Sequence, residues 1–227
     1  MNYVREQIQT GQMDSKTWYS VYQLSEELGI SRSPVRDGLL RLEEAGAIEF
    51  VRNRGFRVVE PKAEDVADIF SLRLALEPAA AARAAKAADP ELTQSMSTIL
   101  EHMETARAAE DEPAFFAWDE ALHDTILAAG HARRGREIVK KLRTHTRLLS
   151  DSTVRRYRSL EQVHSEHLPI VEAINAANPD AAAAAMREHL TATGLLLLRQ
   201  AISRTNPELS DAALTHRVTT TWEQFTG

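Results

Sequence analysis

Over the first sixty residues the apolar positions change their spacing roughly every ten residues. Residues 4–10 read as a short helix ended by Gly11, and Val21–Leu28 reads as a second. Ser20 is placed to cap that second helix, and Gly29 to close it. A third runs from a Ser31 cap to Ala45 before Gly46, with Val35, Leu39 and Leu42 on one face of the wheel. Residues 47–51 and 56–60 read as extended segments around the turn signal Arg52-Asn53-Arg54-Gly55. Three helices followed by a small hairpin are the layout of a winged helix-turn-helix.

Beyond Pro61 the period settles at that of a helix and alanine becomes abundant. Asp89-Pro90, Glu112-Pro113, Gly130, Asn178-Pro179 and Asn206-Pro207 punctuate this part, each proline suiting the first turn of a new helix. Six or seven antiparallel helices with short connections follow. The fold class predicted is mainly α: a winged helix-turn-helix over 1–60, an all-α antiparallel helical bundle over 61–205 and a C-terminal extension over 206–227. In the extension, Leu209, Leu214, Val218, Trp222 and Phe225 predict a short helix or two, packed on the bundle or on a partner subunit. The alanine run 181–185 lets helices approach closely.

Charge sharpens this picture. The chain carries a formal charge of -6, which argues against coating nucleic acid indiscriminately. Yet residues 31–58 hold six arginines and no lysine. Arg32 and Arg36 fall within ~40° of each other beside the apolar face, at the helix start where a recognition helix meets base edges. A guanidinium fork matches guanine or a phosphate with two hydrogen bonds. Arg41 points to the other side of the wheel. Arg52 and Arg54 occupy the hairpin tip, where Gly55 lets the backbone approach a groove. Taken singly, each arginine also reads as an ordinary exposed charge. The absence of cysteine excludes disulfides and thiolate zinc sites. No N-terminal apolar region and no run of ~20 apolar residues is present, so a cytoplasmic protein is expected.

In the bundle, polar groups sit on faces that should be apolar. Asp119 and His123 share a face with Phe115, Leu122 and Ile126. His167 lies amid Leu160, Val163, Val171 and Ile174, and His189 beside Met186, Thr193 and Leu196. Three helices thus aim nitrogen and oxygen ligands inward, where an unpaired charge is costly. This suits a shared divalent cation, although each histidine alone also reads as a core residue. Arg73, inward with Ile69, Leu76 and Ala80, is either a clamp for a carboxylate or the buried partner of Glu77 or another acid. His145 beside Leu142 and Leu149, and His164 at the edge of the His167 face, are weaker pocket candidates. Pro169 allows a kink just after His167.

The stretch Leu24-Ser25-Glu26-Glu27-Leu28-Gly29-Ile30-Ser31-Arg32-Ser33-Pro34-Val35-Arg36, followed by Leu39-Leu40-Arg41-Leu42-Glu43 and the wing residues Asn53-Arg54-Gly55, resembles the DNA-binding domain of GntR-family bacterial regulators. Trp18-Tyr19-Ser20-Val21-Tyr22 replaces the usual proline-glycine and charged entry, leaving Tyr22 as the candidate contact there. Arg73-x3-Glu77, Asp119-x3-His123, Glu166-His167, Asp180 and His189-Leu190 are similar to the FCD ligand-sensing domain of the FadR subfamily. These resemblances imply a homodimer that reads a palindromic operator in double-stranded DNA, most often as a repressor. They place Ser31, Arg32, Ser33, Pro34 and Arg36 at the groove, and Arg54 and Gly55 in the wing. They assign Asp119, His123, His167 and His189 to a divalent metal, for which zinc, nickel or manganese suits an Asp/His3 set, and they imply a small organic acid as effector. Arg73 and His145 are the candidate effector residues. A metal-dependent hydrolase or lyase using the same four residues is the alternative, but it leaves the arginine-bearing winged domain without a role.

Overall fold

Ser20 accepts a hydrogen bond from the Tyr22 amide, and Gly29, at φ 64°, closes the helix that follows. These two devices fix helix α2, Val21–Leu28, in the N-terminal part of the computed structural model. The structure describes residues 2–9, 12–44, 46–59, 62–87, 89–149, 153–154 and 157–227. The expected positions Thr10, Gly11, Ala45, Glu60 and Pro61 lie outside the described residues. Helix α1 is Asn2–Gln9, α3 is Arg32–Glu44, and strands β1, Ile48–Val51, and β2, Gly55–Val58, pair antiparallel. Val4, Leu24, Val35, Leu39, Leu42, Ile48, Phe56 and Val58 form the small core beneath them. Gly55 has φ 95°, and a Cβ there would fall 2.2 Å from the Tyr19 carbonyl oxygen. Only glycine permits Tyr19 and Phe56 to exchange their two backbone hydrogen bonds, which seat the wing on the entry segment.

The remaining helices are α4 Ala63–Ala87, α5 Pro90–Ala108, α6 Glu112–Ala129, α7 Arg133–Leu149, α8 Leu160–Asn175, α9 Pro179–Thr205 and α10 Asp211–Thr226. Asp89, Asp111, Ser159, Asn178 and Ser210 cap five of them, and proline opens α5, α6 and α9 near the first turn. Helix α4 runs along α9, with Ala81, Ala84, Ala85 and Ala182 fully enclosed. Small side chains allow that close approach. Helix α8 packs on α9 and α5, and α6 on α5 and α4. Pro169 lies inside α8, which continues through it, so His167 keeps its inward aim.

The C-terminal extension is one helix, α10, resting on α9 and α4. Leu214, Val218 and Trp222 are its buried stripe. Trp222 meets Phe70 over Gly194, where a Cβ would come within 2.4 Å of the indole.

By compactness the chain forms two units, one of Met1–Lys62 with Thr144–Asp151 and the other of Ala63–Arg143 with Ser152–Gly227. Helix α7 therefore contributes to both. Among the described residues no helix is long and apolar enough to cross a membrane.

Candidate metal centre and nucleic-acid interface

Every fully buried charged or histidine side chain among the described residues belongs to one cluster in the helical unit: Arg73, Glu77, Asp119, His123, Arg143, His167 and His189. Burying so many ionisable groups costs stability unless they satisfy one another. The i,i+4 spacing on α6 puts Asp119 and His123 one turn apart on the inner face, where α8 and α9 bring His167 and His189. One ligand atom from each of these four lies within 4.8 Å of the other three. Ligands ~2.1 Å from a common ion stand about 3–4 Å apart, so this spacing suits a shared cation.

Hydrogen bonding sets the direction of the rings. His123 Nδ1 is bonded to Glu77 Oε2, and His167 Nδ1 is bonded 2.8 Å from the Val163 carbonyl oxygen. Each ring is thereby held with Nε2 facing the cluster, and both Nε2 atoms are buried without a hydrogen-bond partner. His189 Nδ1 is buried in the same condition, 3.4 Å from Glu166 Oε2. Asp119 Oδ1 lies 2.8 Å from His167 Nε2. Metal-bound histidines characteristically give their second nitrogen to a carboxylate or a backbone carbonyl, as His123 and His167 do here. The residues fit a divalent cation.

Electrostatics agree. Burial works against the Glu77 carboxylate, but Arg73 and His123 outweigh it and hold it well below the usual carboxylate range. Burial of Asp119 is likewise overcome, by Arg143 and His167. Burial pushes the His123 imidazole down to about 4 despite Glu77. It also drives His189 well below its ordinary value, with His167 and His123 adding to the effect. Two carboxylates ionised and these two imidazoles neutral near pH 7 are the protonation states that ligation needs.

Arg73 donates from Nε to Glu77 Oε1 at 2.6 Å, with Nη2 buried and unpartnered. The expected pair with Glu77 is thus formed, and one guanidinium nitrogen is left over. Arg143, from α7, binds Asp119 Oδ2. Arg158 bonds Glu166 at 2.5 Å, Thr193 at 3.2 Å and Thr153 at 2.9 Å beside His189. His145 is not brought into this cluster; a Cβ on Gly46 would lie 2.7 Å from its Nε2, so its ring rests on the turn after α3. His164 also stays outside the four and neighbours Glu104 on α5. Sequence reasoning missed Arg143. Its signal was the inward position two turns after Gly135 and one after Val139, both buried, within a largely exposed basic helix.

On the winged unit, Ser31, Arg32, Ser33, Pro34 and Arg36 are exposed at the start of α3, as are Arg52 and Arg54 in the wing, with Gly55 partly so. Aromatic rings support four arginines. Arg32 stacks 4.5 Å from the Tyr22 ring centre and Arg36 5.5 Å from Phe50. Arg54 and Arg57 lie 5.7 and 5.4 Å from that of Trp18. The unusual entry residues Trp18 and Tyr22 therefore hold guanidinium groups outward, a role the sequence alone did not reveal.

Comparison with known proteins decides the family. Residues 1–58 match the bacterial regulatory proteins of the gntR family, and residues 68–192, more than half of the chain, match the FCD domain. The chain belongs to the GntR family, with an FCD domain. The relatives it matches are named as transcriptional regulators. It is 31% identical over 109 residues to an HTH-type regulator from the TAR-I ttuE-ttuC' intergenic region of Agrobacterium vitis, covering 47% of this chain and 64% of that protein. It is 31% identical over 134 residues to the gluconate operon transcriptional repressor of Bacillus subtilis, covering 56% of this chain and 51% of the repressor. The chain thus spans less than two thirds of either relative. Among solved structures, E. coli McbR/YncC shares the fold at a TM-score of 0.67 and 20% identity, over 88% of this chain and 95% of that one.

Proposed function

We propose that this GntR-family regulator is a homodimeric repressor whose grip on a palindromic operator is set by a small carboxylate acting at a divalent-metal centre. The observation that carries this reading is the inward-facing Nε2 atoms of His123 and His167, buried and unpartnered beside Asp119 and His189. Asp119, His123, His167 and His189 would hold the ion, with zinc, nickel or manganese suiting the donor set. When bound, the ion supplies a Lewis-acidic docking point for an anion. Around it Arg73, Arg143 and Arg158 are balanced by Glu77, Asp119 and Glu166, three cations against three anions. A divalent ion added to that neutral set leaves the site cationic, which favours an acid as effector. The free Arg73 Nη2 offers it a hydrogen-bond donor. Similarity to the gluconate operon repressor supports both repression and an organic acid.

On the DNA side, Arg32 and Arg36 read base edges, with Ser31, Ser33 and Pro34 at the groove. Arg52, Arg54 and Gly55 follow the backbone through the wing. Thermal shift tests the sensor half. Chelator-stripped protein gains stability with one of these metals, a panel of small carboxylates adds to it, and His123→Ala loses both effects. A ligand at a hundredfold excess over its dissociation constant contributes ~2.7 kcal/mol. Absence of any metal effect on the wild type rejects the centre.

A further inference from the structure

Trp222 on α10 reaches the buried cluster through one intervening ring. Its indole lies 6.2 Å from the Phe70 ring, centre to centre and tilted by 47°, within the range of a stabilising aromatic pair. Phe70 in turn lies beneath the Arg73 guanidinium, 5.0 Å from ring centre to Cζ. All three side chains are buried, Phe70 completely. Gly194 lets both rings settle on α9, since a Cβ there would fall 2.4 Å from the indole and 2.9 Å from Phe70 Cδ1. Phe70 is thus boxed between α9, Trp222 and Arg73. Arg73 itself is held by two restraints of different kinds. Glu77 Oε1 accepts from its Nε at 2.6 Å and fixes where the head sits. The Phe70 face limits its tilt, because guanidinium groups stack on aromatic faces. Nη2, buried and unpartnered, is the donor whose direction that tilt decides. Gly194 and α10 both lie past the matched FCD domain, which ends at residue 192. Leu214 and Val218 already give α10 an apolar stripe for docking; Trp222 adds a contact with the ring beneath a site arginine.

We propose that Trp222 is a positioning residue for Arg73, acting through Phe70, and that α10 thereby completes the wall of the carboxylate site. The proposal rests on the effector reading above. A charge-assisted hydrogen bond weakens as its donor swings off line. A ring that stops the Arg73 head from rocking therefore raises affinity for the acid. Metal uptake is expected to be independent of Trp222, because His123 and His167 take their orientation from Glu77 and Val163.

Two measurements on the full chain test this. The first is a double-mutant cycle on chelator-stripped protein, with Trp222→Leu, Arg73→Met and the double variant unfolded in denaturant. The two substitutions are expected to be non-additive by roughly 2–150-fold in the unfolding equilibrium constant, and additivity overturns the positioning role. The second titrates the Co(II)-loaded chain with acetate, malonate and gluconate by calorimetry. Arg73→Met weakens the acid that wild type binds by ~10–100-fold. Trp222→Leu weakens it ~2–10-fold with Co(II) affinity unchanged. Trp222→Phe, which keeps an aromatic partner for Phe70, recovers it. If Trp222→Leu does not fold, Phe70→Leu takes its place, removing the ring beneath the guanidinium while filling the core. Wild-type acid affinity in the leucine variant, or equal loss of Co(II) and acid, overturns this proposal and leaves the effector reading intact. If wild type binds none of the three acids, or Arg73→Met binds them as wild type does, the effector reading fails and this proposal with it. If the chain takes up no Co(II), the metal reading fails, and the cycle still decides whether Trp222 positions Arg73.

Discussion

Glu77 on α4 holds His123 on α6 by its Nδ1, and that bond is what turns the ring's other nitrogen into the cluster. The carboxylate is shared with Arg73, so one acid both orients an imidazole and neutralises a buried guanidinium.

Glu77→Gln therefore has two expected effects. Metal affinity falls ~10–100-fold as His123 loses its orienting carboxylate. The metal-free protein also loses about 3–5 kcal/mol, because Arg73 is left buried without its counter-charge. Calorimetric metal titration and denaturant unfolding measure the two separately. A variant weakened in stability alone would deny Glu77 its orienting role.

Stability of the metal-free chain should fall as the medium is acidified from about pH 6.5 to 4. In the unfolded chain an imidazole takes its proton near 6.5, whereas folded His123 does so only at about 4. Across that window the unfolded state binds more protons, so lowering the pH favours unfolding. His123 alone accounts for roughly 3 kcal/mol at the acid end. His189 is depressed in the same direction, and below the ordinary carboxylate range Asp119 and Glu77 add to the loss. Denaturant midpoints measured across this range check the slope, and a flat or inverted profile contradicts it.

The two arginine sets should separate by salt and by sequence. Arg52→Ala is expected to weaken operator and random DNA alike and to lower the salt-dependence slope by about 1. Arg32→Ala costs about 1–3 kcal/mol on the operator and relaxes one base position. Tyr22→Ala, by freeing Arg32 from its stack, moves in the Arg32→Ala direction with smaller amplitude. Binding titrations at several salt concentrations distinguish these outcomes.

Gly194→Ala probes the C-terminal helix. A methyl group there meets the Trp222 ring at 2.4 Å and Phe70 at 2.9 Å. Overpacking of this kind costs typically 1–3 kcal/mol. Unfolding of the variant, read by tryptophan fluorescence, should shift accordingly, and wild-type stability would show that α10 is not docked as described.

The inward position of Asp119, His123, His167 and His189 was legible because helical period alone places them on apolar faces. The winged helix was legible because caps, glycines and a turn signal mark it locally. Arg143 was not, since period reports that a side chain is inward but not which partner lies across the gap. Its pairing with Asp119 spans 24 positions and two helices. His145 shows the reverse case: it looked inward on the wheel, yet its ring lies beside Gly46 and outside the cluster. The Trp18 and Tyr22 stacks were hidden for a related reason. The sequence offers Tyr22 as a contact in its own right, and that it and Trp18 lie against arginines shows only once those arginines are located in space.

The most direct test is fluorescence anisotropy on an operator duplex selected by the purified chain, with chelator, with metal, and with metal plus a small carboxylate that stabilises the protein. The expected result is a 5–150-fold change in operator affinity on adding the acid, as a coupling of ~1–3 kcal/mol gives, present only with metal and lost in His123→Ala. Equal affinity under all three conditions would contradict the account, leaving a DNA-binding protein whose buried cluster does not speak to its operator.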